Sequence, residues 1–204
     1  MSQEYAPGRA VDVVGDGPTV LLWHGSGPNE RRALAALAEA VAAHGRRVVV
    51  PDWDSTSPDL GRADLLGSLR FARESADHDP DELTLAGWSR GGIAAASLAL
   101  HQRRLGIGFD RVVGIACTAF QHLDPITGAR IETVTPPVQR STTVAFVHGL
   151  RDDRATTEQA HQALADWTDA GWATTLTELD ADHFTIVEEQ AEPVASVICT
   201  PPTR

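Results

Sequence analysis

The sequence predicts a doubly wound α/β fold, in which a mainly parallel sheet carries helices on both faces. Short apolar runs of strand length alternate with longer segments whose apolar residues recur every three or four positions. This alternation is typical of parallel strands joined by helical crossovers. The chain has no internal repeat and no linker-like stretch, so we expect a single domain over residues 1–204.

Six apolar runs predict the core strands, and a weaker run at residues 11–14 predicts an edge strand. The six runs cover residues 19–23, 47–51, 83–88, 111–118, 142–147 and 172–179. Parallel strands that are buried on both faces form continuous apolar runs of this kind. Ligands of such sheets bind at the carboxyl ends of the strands, so polar residues just after a strand are the candidates for function.

Helices are predicted between these strands. We expect the first to begin at Asn29, whose side chain can cap it, and to end at Gly45. Thr156 and Gln159 form a capping-box pattern ahead of another helix, which ends at Gly171. The remaining helices are predicted over residues 62–75, over residues 91–105 and from Pro193.

Charge and composition exclude several classes of partner. The net charge is −11, and the 17 cationic residues are all arginines scattered along the chain. Phosphate backbones and anionic membranes attract clustered cations, so we expect no nucleic-acid or membrane partner. No apolar run has the length of a membrane span, and residues 1–17 lack the apolar core of a secretory signal, so we expect a cytoplasmic location. Cys117 and Cys199 have no metal-ligand spacing and are expected to be buried apolar side chains.

The strongest local signal is the sequence GWSRG at residues 87–91, between a predicted strand and a predicted helix. A tight turn there would lift Ser89 out of the sheet, and the flanking glycines let neighbouring elements pass without a Cβ clash. The start of the following helix favours developing negative charge. The pattern indicates a nucleophilic serine. The alternative is an ordinary strand-to-helix turn in which the serine caps the helix.

A nucleophilic serine needs a base, and the base needs an acid that orients it. His183 follows the last predicted strand and is the candidate base. Asp152 and Asp153 follow the strand at residues 142–147; Asp152 is the preferred acid, and Asp153 is the alternative. Asp182 is adjacent to the base and is expected to point elsewhere. The histidines on helices or connecting loops are expected to be solvated: His44, His78, His101, His122 and His161.

An oxyanion hole requires two N–H groups aimed at the developing negative oxygen. The backbone N–H of Arg90, directly after Ser89, is one candidate, and Ser26 in the loop after the strand at residues 19–23 supplies the other. Four residues near these loops are candidates for the substrate pocket: His24, Gly25, Trp53 and Trp88. Core packing is the alternative role for both tryptophans, and local bracing of the loop is the alternative for the histidine.

Four motifs together resemble the α/β-hydrolase family. They are LLWHG at 21–25, GWSRGG at 87–92, HGLRD at 148–152 and DHF at 182–184, in the order serine, aspartate, histidine that this family uses. The small size is similar to the dienelactone-hydrolase-like and the carboxylesterase or thioesterase branches. Dienelactone hydrolases proper carry cysteine as nucleophile, whereas this chain has Ser89. Many members insert a helical lid where this chain has only the proline-rich residues 119–141, so no large lid is expected.

The resemblance and the motifs predict a serine hydrolase that cleaves a small ester through Ser89, His183, Asp152 and an acyl-enzyme. One alternative is a thioesterase or acyltransferase of a biosynthetic pathway that uses the same residues. The other is a ligand-binding protein that has kept the fold without turnover. The expected partner is a small-molecule ester or thioester. No metal or organic cofactor is expected, since the histidines and cysteines lack metal-ligand spacing.

Overall fold

Eight strands form one mixed sheet in the computed structural model, which describes residues 3–77, 79, 82–118, 123–137 and 142–200. In chain order they are β1 (Gln3–Ala6), β2 (Arg9–Val14), β3 (Thr19–Trp23), β4 (Arg47–Pro51), β5 (Thr84–Trp88), β6 (Arg111–Ile115), β7 (Thr143–Gly149) and β8 (Ala173–Leu179). Their order across the sheet is β1-β2-β4-β3-β5-β6-β7-β8, and every neighbouring pair from β4 to β8 is parallel. The predicted mainly parallel sheet is confirmed.

The N-terminal end of the sheet differs from the prediction. The predicted edge strand at residues 11–14 lies within β2, but β1 pairs with β2 and forms the edge instead. The β1–β2 and β2–β4 pairs are antiparallel. Because β1 has four residues, QEYA, of which two are exposed, it contains no apolar run that sequence reasoning could detect.

Six α-helices of the described residues cover the two faces of the sheet: α1 (Ala35–Ala43), α2 (Arg62–Glu74), α3 (Arg90–Leu105), α4 (Thr157–Asp169), α5 (Thr185–Glu188) and α6 (Ala191–Cys199). Successive side chains of β3 point to opposite faces. Val20 and Leu22 share a core cluster with buried residues of α1 and α6, whereas Leu21 and Trp23 share one with α2 and α3. The indole N–H of Trp23 also donates to Ser68 Oγ on α2, at 3.1 Å. None of the described helices is both long and apolar enough to cross a membrane.

The helix after β3 begins later than predicted. Asn29 has a left-handed φ of +59°, whereas a capping residue is extended, and a short 3-10 turn over Arg31–Leu34 precedes α1. The capping box of Thr156 and Gln159 at the start of α4 is confirmed. The helix predicted around Pro193 is also confirmed, as α6.

Candidate active site

The tight turn at Ser89 joins β5 to α3. Its backbone has φ +53° and ψ −119°, a conformation that costs energy for any residue except glycine. Flanking glycines make the turn possible. A Cβ on Gly87 would lie 2.2 Å from the carbonyl oxygen of Gly91, and a Cβ on Gly91 would lie 2.4 Å from the carbonyl oxygens of Trp23 and His24. This close packing holds the serine at the carboxyl end of β5.

The ring of His183, in the loop between β8 and α5, reaches the serine hydroxyl, with Nε2 3.0 Å from Oγ. Two sets of hydrogen bonds fix the conformation of this loop. The backbone carbonyl of His183 accepts a hydrogen bond from the indole N–H of Trp88, at 2.8 Å. The neighbouring Asp182 accepts from the backbone N–H groups of Thr185 and Phe184, at 2.9 Å each, and these bonds lower the pKa of Asp182. Asp182 therefore stabilises the loop that presents the ring.

The carboxylate of Asp152 lies on the other side of the imidazole. Its Oδ2 is 2.8 Å from His183 Nδ1, and its Oδ1 accepts the backbone N–H groups of Arg154 and Ala155, at 2.9 and 3.0 Å. The side chain of Asp152 is fully buried, whereas Asp153 is exposed. A carboxylate at Nδ1 favours the tautomer that is protonated there, so Nε2 can accept a proton from the serine. The fold thus brings Asp152 to the ring, and not Asp153.

A cleft of about 210 Å³ opens beside the serine hydroxyl. Both residues predicted for the oxyanion hole border it: Ser26, after β3, and Arg90, the first residue of α3. Backbone N–H groups at a helix start have no intrahelical acceptor, and the helix dipole favours negative charge there. The other described residues that line the cleft are Ser89, Ile93, Ala116, Cys117, Thr118, Arg154, Ala155 and His183.

No protein-family model matches the chain, and no curated protein matches its sequence. Solved structures match it in fold. Esterase 2 of Thermogutta terrifontis is 13% identical with a TM-score of 0.73, and the match covers 97% of this chain and 92% of the esterase. The S-formylglutathione hydrolase FrmB of Staphylococcus aureus is 13% identical with a TM-score of 0.68, over 94% of this chain and 90% of FrmB. The thioesterase domain from the curacin biosynthetic pathway is 16% identical with a TM-score of 0.64, over 94% of this chain and 95% of that domain.

The chain has the α/β-hydrolase fold. At these identities the likeness is one of fold alone, and it agrees with the mainly parallel sheet described above. Within the described residues, no group of three or more histidines, cysteines and carboxylates is placed to hold a metal ion.

The four candidate pocket residues of this α/β-hydrolase fold lie behind the cleft and not among its lining residues. His24 and Trp53 are fully buried, and Trp88 is 6% exposed. A Cβ on Gly25 would lie 3.0 Å from the ring of Trp88 and 3.3 Å from Cβ of Ser89, so this glycine allows the loop to approach the turn.

His24 braces the loop that carries Ser26. Its Nε2 accepts the backbone N–H groups of Trp53, at 3.1 Å, and Glu30, at 3.3 Å, while Nδ1 lies 2.9 Å from the carbonyl oxygen of Gly25. This arrangement requires the neutral ring with its proton on Nδ1. Burial lowers the pKa of His24 to about 4. The indole N–H of Trp53 donates to the carbonyl oxygen of His24, at 3.1 Å, and ties the loop after β3 to the loop after β4.

Sequence reasoning missed several lining residues. Ala116, Cys117 and Thr118 line the cleft because β6 ends at Ile115, whereas the apolar run had predicted a strand that continued to residue 118 and so hid these three positions from the strand-end rule. Arg154 comes two residues after Asp152. It reaches the cleft because the loop turns back on itself, with the backbone N–H of Arg154 donating to Oδ1 of Asp152. Cys117 is a free thiol, 5% exposed, and burial raises its pKa to about 12.

One of the histidines expected to be solvated has a structural role. His101 Nε2 lies 2.6 Å from Oδ2 of Asp124, a carboxylate that is 5% exposed. Asp124 also accepts from the hydroxyl of Ser97 on α3 and from the backbone N–H of Ile126, so it fastens the loop after β6 to α3. This expectation was wrong because the partner lies 23 residues away in sequence. His44 and His161 are exposed as predicted; His78 and His122 lie outside the described residues.

Proposed function

We propose that this protein is a serine hydrolase that cleaves small carboxylic esters through an acyl-enzyme. The observation that carries the proposal is the continuous hydrogen-bonded row from Ser89 through His183 to Asp152, at the edge of a cleft. The row has the order of contacts that nucleophilic acyl transfer requires. Fold neighbours that are esterases support the same reaction class.

The first half of the reaction transfers the acyl group to the enzyme. Ser89 Oγ attacks the ester carbonyl carbon while its proton passes to His183 Nε2. The carbonyl oxygen becomes an oxyanion, which the backbone N–H groups of Ser26 and Arg90 are proposed to bind. His183 then gives the proton to the leaving alkoxide oxygen, the carbon–oxygen bond breaks, and the alcohol departs.

The second half releases the acid. A water molecule attacks the acyl carbon as His183 Nε2 takes one of its protons. That proton returns to Ser89 Oγ as the acyl–enzyme bond breaks. Throughout, the carboxylate of Asp152 holds Nδ1 and stabilises the imidazolium that forms twice in the cycle.

A thioester substrate is the second candidate. The thioesterase domain from the curacin pathway matches this chain over 95% of that domain. The same residues would serve, because only the leaving atom changes from oxygen to sulfur. Rates with matched oxygen esters and thioesters of one acyl group separate the two candidates, and transfer of the acyl group to an added alcohol would reveal an acyltransferase.

The proposal is tested with p-nitrophenyl esters of increasing acyl length, from acetate to dodecanoate. We expect the wild type to hydrolyse at least one of these esters, and both Ser89→Ala and His183→Ala to lose this activity. The matched controls are Ser196→Ala on α6 and His161→Ala on α4, both exposed, which should retain wild-type turnover. Circular dichroism checks that all four variants fold.

Labelling by a fluorophosphonate provides an independent test, since it requires an activated serine and no particular acyl group. A fold neighbour, esterase 2 of Thermogutta terrifontis, has been solved phosphonylated by sarin. We expect the wild type to be labelled at Ser89 and Ser89→Ala to remain unlabelled. A folded wild-type protein that neither turns over an ester nor takes the label would contradict the proposal and favour a ligand-binding role.

A further inference from the structure

The charges that line the cleft are opposite in sign to the charge of the whole protein. The chain carries a net charge of −11. The residues that line the cleft nevertheless include two arginines, Arg90 and Arg154, and no aspartate or glutamate among those described. The negative field of the whole protein repels anionic ligands. The two arginines beside Ser89 should make the potential at this cleft more positive than over the rest of the surface.

Nearby carboxylates already have other partners. Asp152 uses Oδ2 for His183 and Oδ1 for two backbone N–H groups. Asp182 accepts from two backbone N–H groups of the next turn. Neither Arg90 nor Arg154 has a carboxylate within ion-pair distance among the described residues, whereas Arg9 and Arg151 each have one and Arg31 has two. Among the described residues, the side chains of Arg90 and Arg154 therefore have no carboxylate partner that would compete with a ligand.

Arg154 is held close to the candidate base. Its guanidinium carbon lies 4.6 Å from the centroid of the Phe184 ring, a cation–π contact. Phe184 packs edge-on against His183, with centroids 5.5 Å apart, and against Trp88 at 5.6 Å. The backbone N–H of Arg154 is fixed as well, because it donates to Asp152. A side chain held at both ends loses less entropy when it binds a ligand.

Arg90 borders the cleft from α3, and not from the loop that carries Arg154. It is the first residue of α3, a helix of 16 residues, and is partly buried. The N-terminal turn of such a helix adds its own preference for negative charge. Arg90 on α3 and Arg154 on the loop after β7 thus border the cleft from two separate parts of the fold.

We propose that the substrate of this site is an ester that carries a carboxylate, which Arg90 and Arg154 bind while its ester carbonyl faces Ser89. This inference rests on the proposed hydrolase function and adds a substrate class to it. Planar guanidinium groups pair with carboxylates through two parallel hydrogen bonds, which gives orientation as well as affinity. A neutral ester of the same shape cannot make this contact, but its ester carbonyl can still reach Ser89.

Two matched substrate pairs test the proposal and locate the charge. The acyl-side pair is mono-p-nitrophenyl adipate against p-nitrophenyl hexanoate. The alcohol-side pair is 4-acetoxybenzoate against 4-acetoxybenzamide. At neutral pH, we expect kcat/KM for the charged member of at least one pair to exceed that of its neutral partner by about tenfold. The preference should weaken as salt is added, because ions screen a partly exposed pair.

Arginine variants connect that preference to the two side chains. Arg154→Gln and Arg90→Gln are each expected to lower the charged-to-neutral ratio of kcat/KM about fivefold, and the double variant should abolish the preference. Arg103→Gln, on an exposed part of α3, is the control and should keep the wild-type ratio. A wild-type ratio of one or less on both pairs, or a ratio that both single variants leave unchanged, overturns the inference.

Fluorophosphonate labelling of the same samples separates this failure from a failure of the proposed function. A wild type that is labelled at Ser89 but does not prefer the charged esters is a hydrolase with a different substrate. A wild type that is not labelled and hydrolyses neither member of either pair overturns the hydrolase proposal and the substrate class with it.

Discussion

At the scale of single residues, hydrogen bonds distinguish two adjacent carboxylates that the sequence alone could not separate. Asp152 is buried, and the backbone N–H groups of Arg154 and Ala155 orient its Oδ1, so its Oδ2 is left facing His183. Asp153 is exposed to solvent. A buried carboxylate with these fixed bonds can hold an imidazole in one tautomer, whereas an exposed one on a flexible side chain cannot.

We therefore expect Asp152→Asn to lower kcat about 10³- to 10⁴-fold on any ester that the wild type cleaves, because the amide favours the wrong tautomer of His183. Asp153→Asn is the matched control and should leave kcat within about twofold of the wild type, as expected for an exposed group outside the row. Steady-state kinetics on both variants provides the measurement. An equal loss in the two variants would show that the acid has been misassigned.

Strand order was sufficient to predict where three of the candidate site residues lie. Ser89, Asp152 and His183 each follow a strand, and parallel strands place such positions at one edge. Trp53 also follows a strand, yet its indole turns inward to the carbonyl of His24, a side-chain direction that strand position does not determine. Arg154 reaches the cleft because a loop folds back on Asp152, and loop geometry of this kind has no periodic signal.

At the scale of elements, the crossing of α3 over the end of β3 leaves no room for a side chain. A Cβ at Gly91 would lie 2.4 Å from two backbone carbonyl oxygens, those of Trp23 and His24. Trp23 ends β3 and pairs with Gly87 of β5, and His24 is the residue that follows, so neither carbonyl can move without disturbing the sheet or the loop next to it. Gly91, two residues after Ser89, is therefore required for packing as well as being part of the GWSRG motif.

Gly91→Ala is expected to lower the free energy of unfolding by about 3 kcal/mol, the cost of overpacking against a backbone that cannot yield. Gly67→Ala in α2 is the control, since the nearest atom to its Cβ is a Tyr5 ring carbon at 3.4 Å. Alanine is the better helix former by about 1 kcal/mol, so this variant should be as stable as the wild type or more stable. Urea unfolding measures both. A Gly91→Ala protein of wild-type stability would show that α3 and the end of β3 are further apart than the 2.4 Å distances imply.

The elements that sequence reasoning missed are those without an internal hydrophobic pattern. β1 is short and half exposed, and α5 is a single turn of four residues. The start of α1 was wrong because Asn29 adopts a left-handed conformation, which depends on how the loop after β3 meets the rest of the protein. Longer elements such as α3 and α4 were found within about one residue, because their apolar faces repeat over several turns.

At the scale of the whole molecule, the cleft of the candidate site lies between the loops that follow β3, β5, β6, β7 and β8. Hydrogen bonds connect several of these loops to their neighbours. The ring of His24, after β3, accepts the backbone N–H of Trp53 in the loop after β4, and the indole of Trp88, at the end of β5, donates to the carbonyl of His183 after β8. Because the same bonds support the fold and the candidate site, loss of one of them should affect stability and activity together.

His24 makes this coupling depend on pH. Its pKa is about 4 in the folded protein, against the ordinary 6.5, so between these values the unfolded chain binds a proton that the native state excludes. Stability should therefore be complete above about pH 6.5 and fall as the pH drops towards 4, by about 3 kcal/mol in total. We expect His24→Asn to be less stable at neutral pH but to lose this part of the pH dependence, whereas exposed His161→Asn should retain it. The measurement is the free energy of unfolding in urea at several pH values. Parallel curves for the wild type and His24→Asn would mean that the ring has the same pKa in the native state as in the unfolded chain, and would contradict the neutral, buried ring.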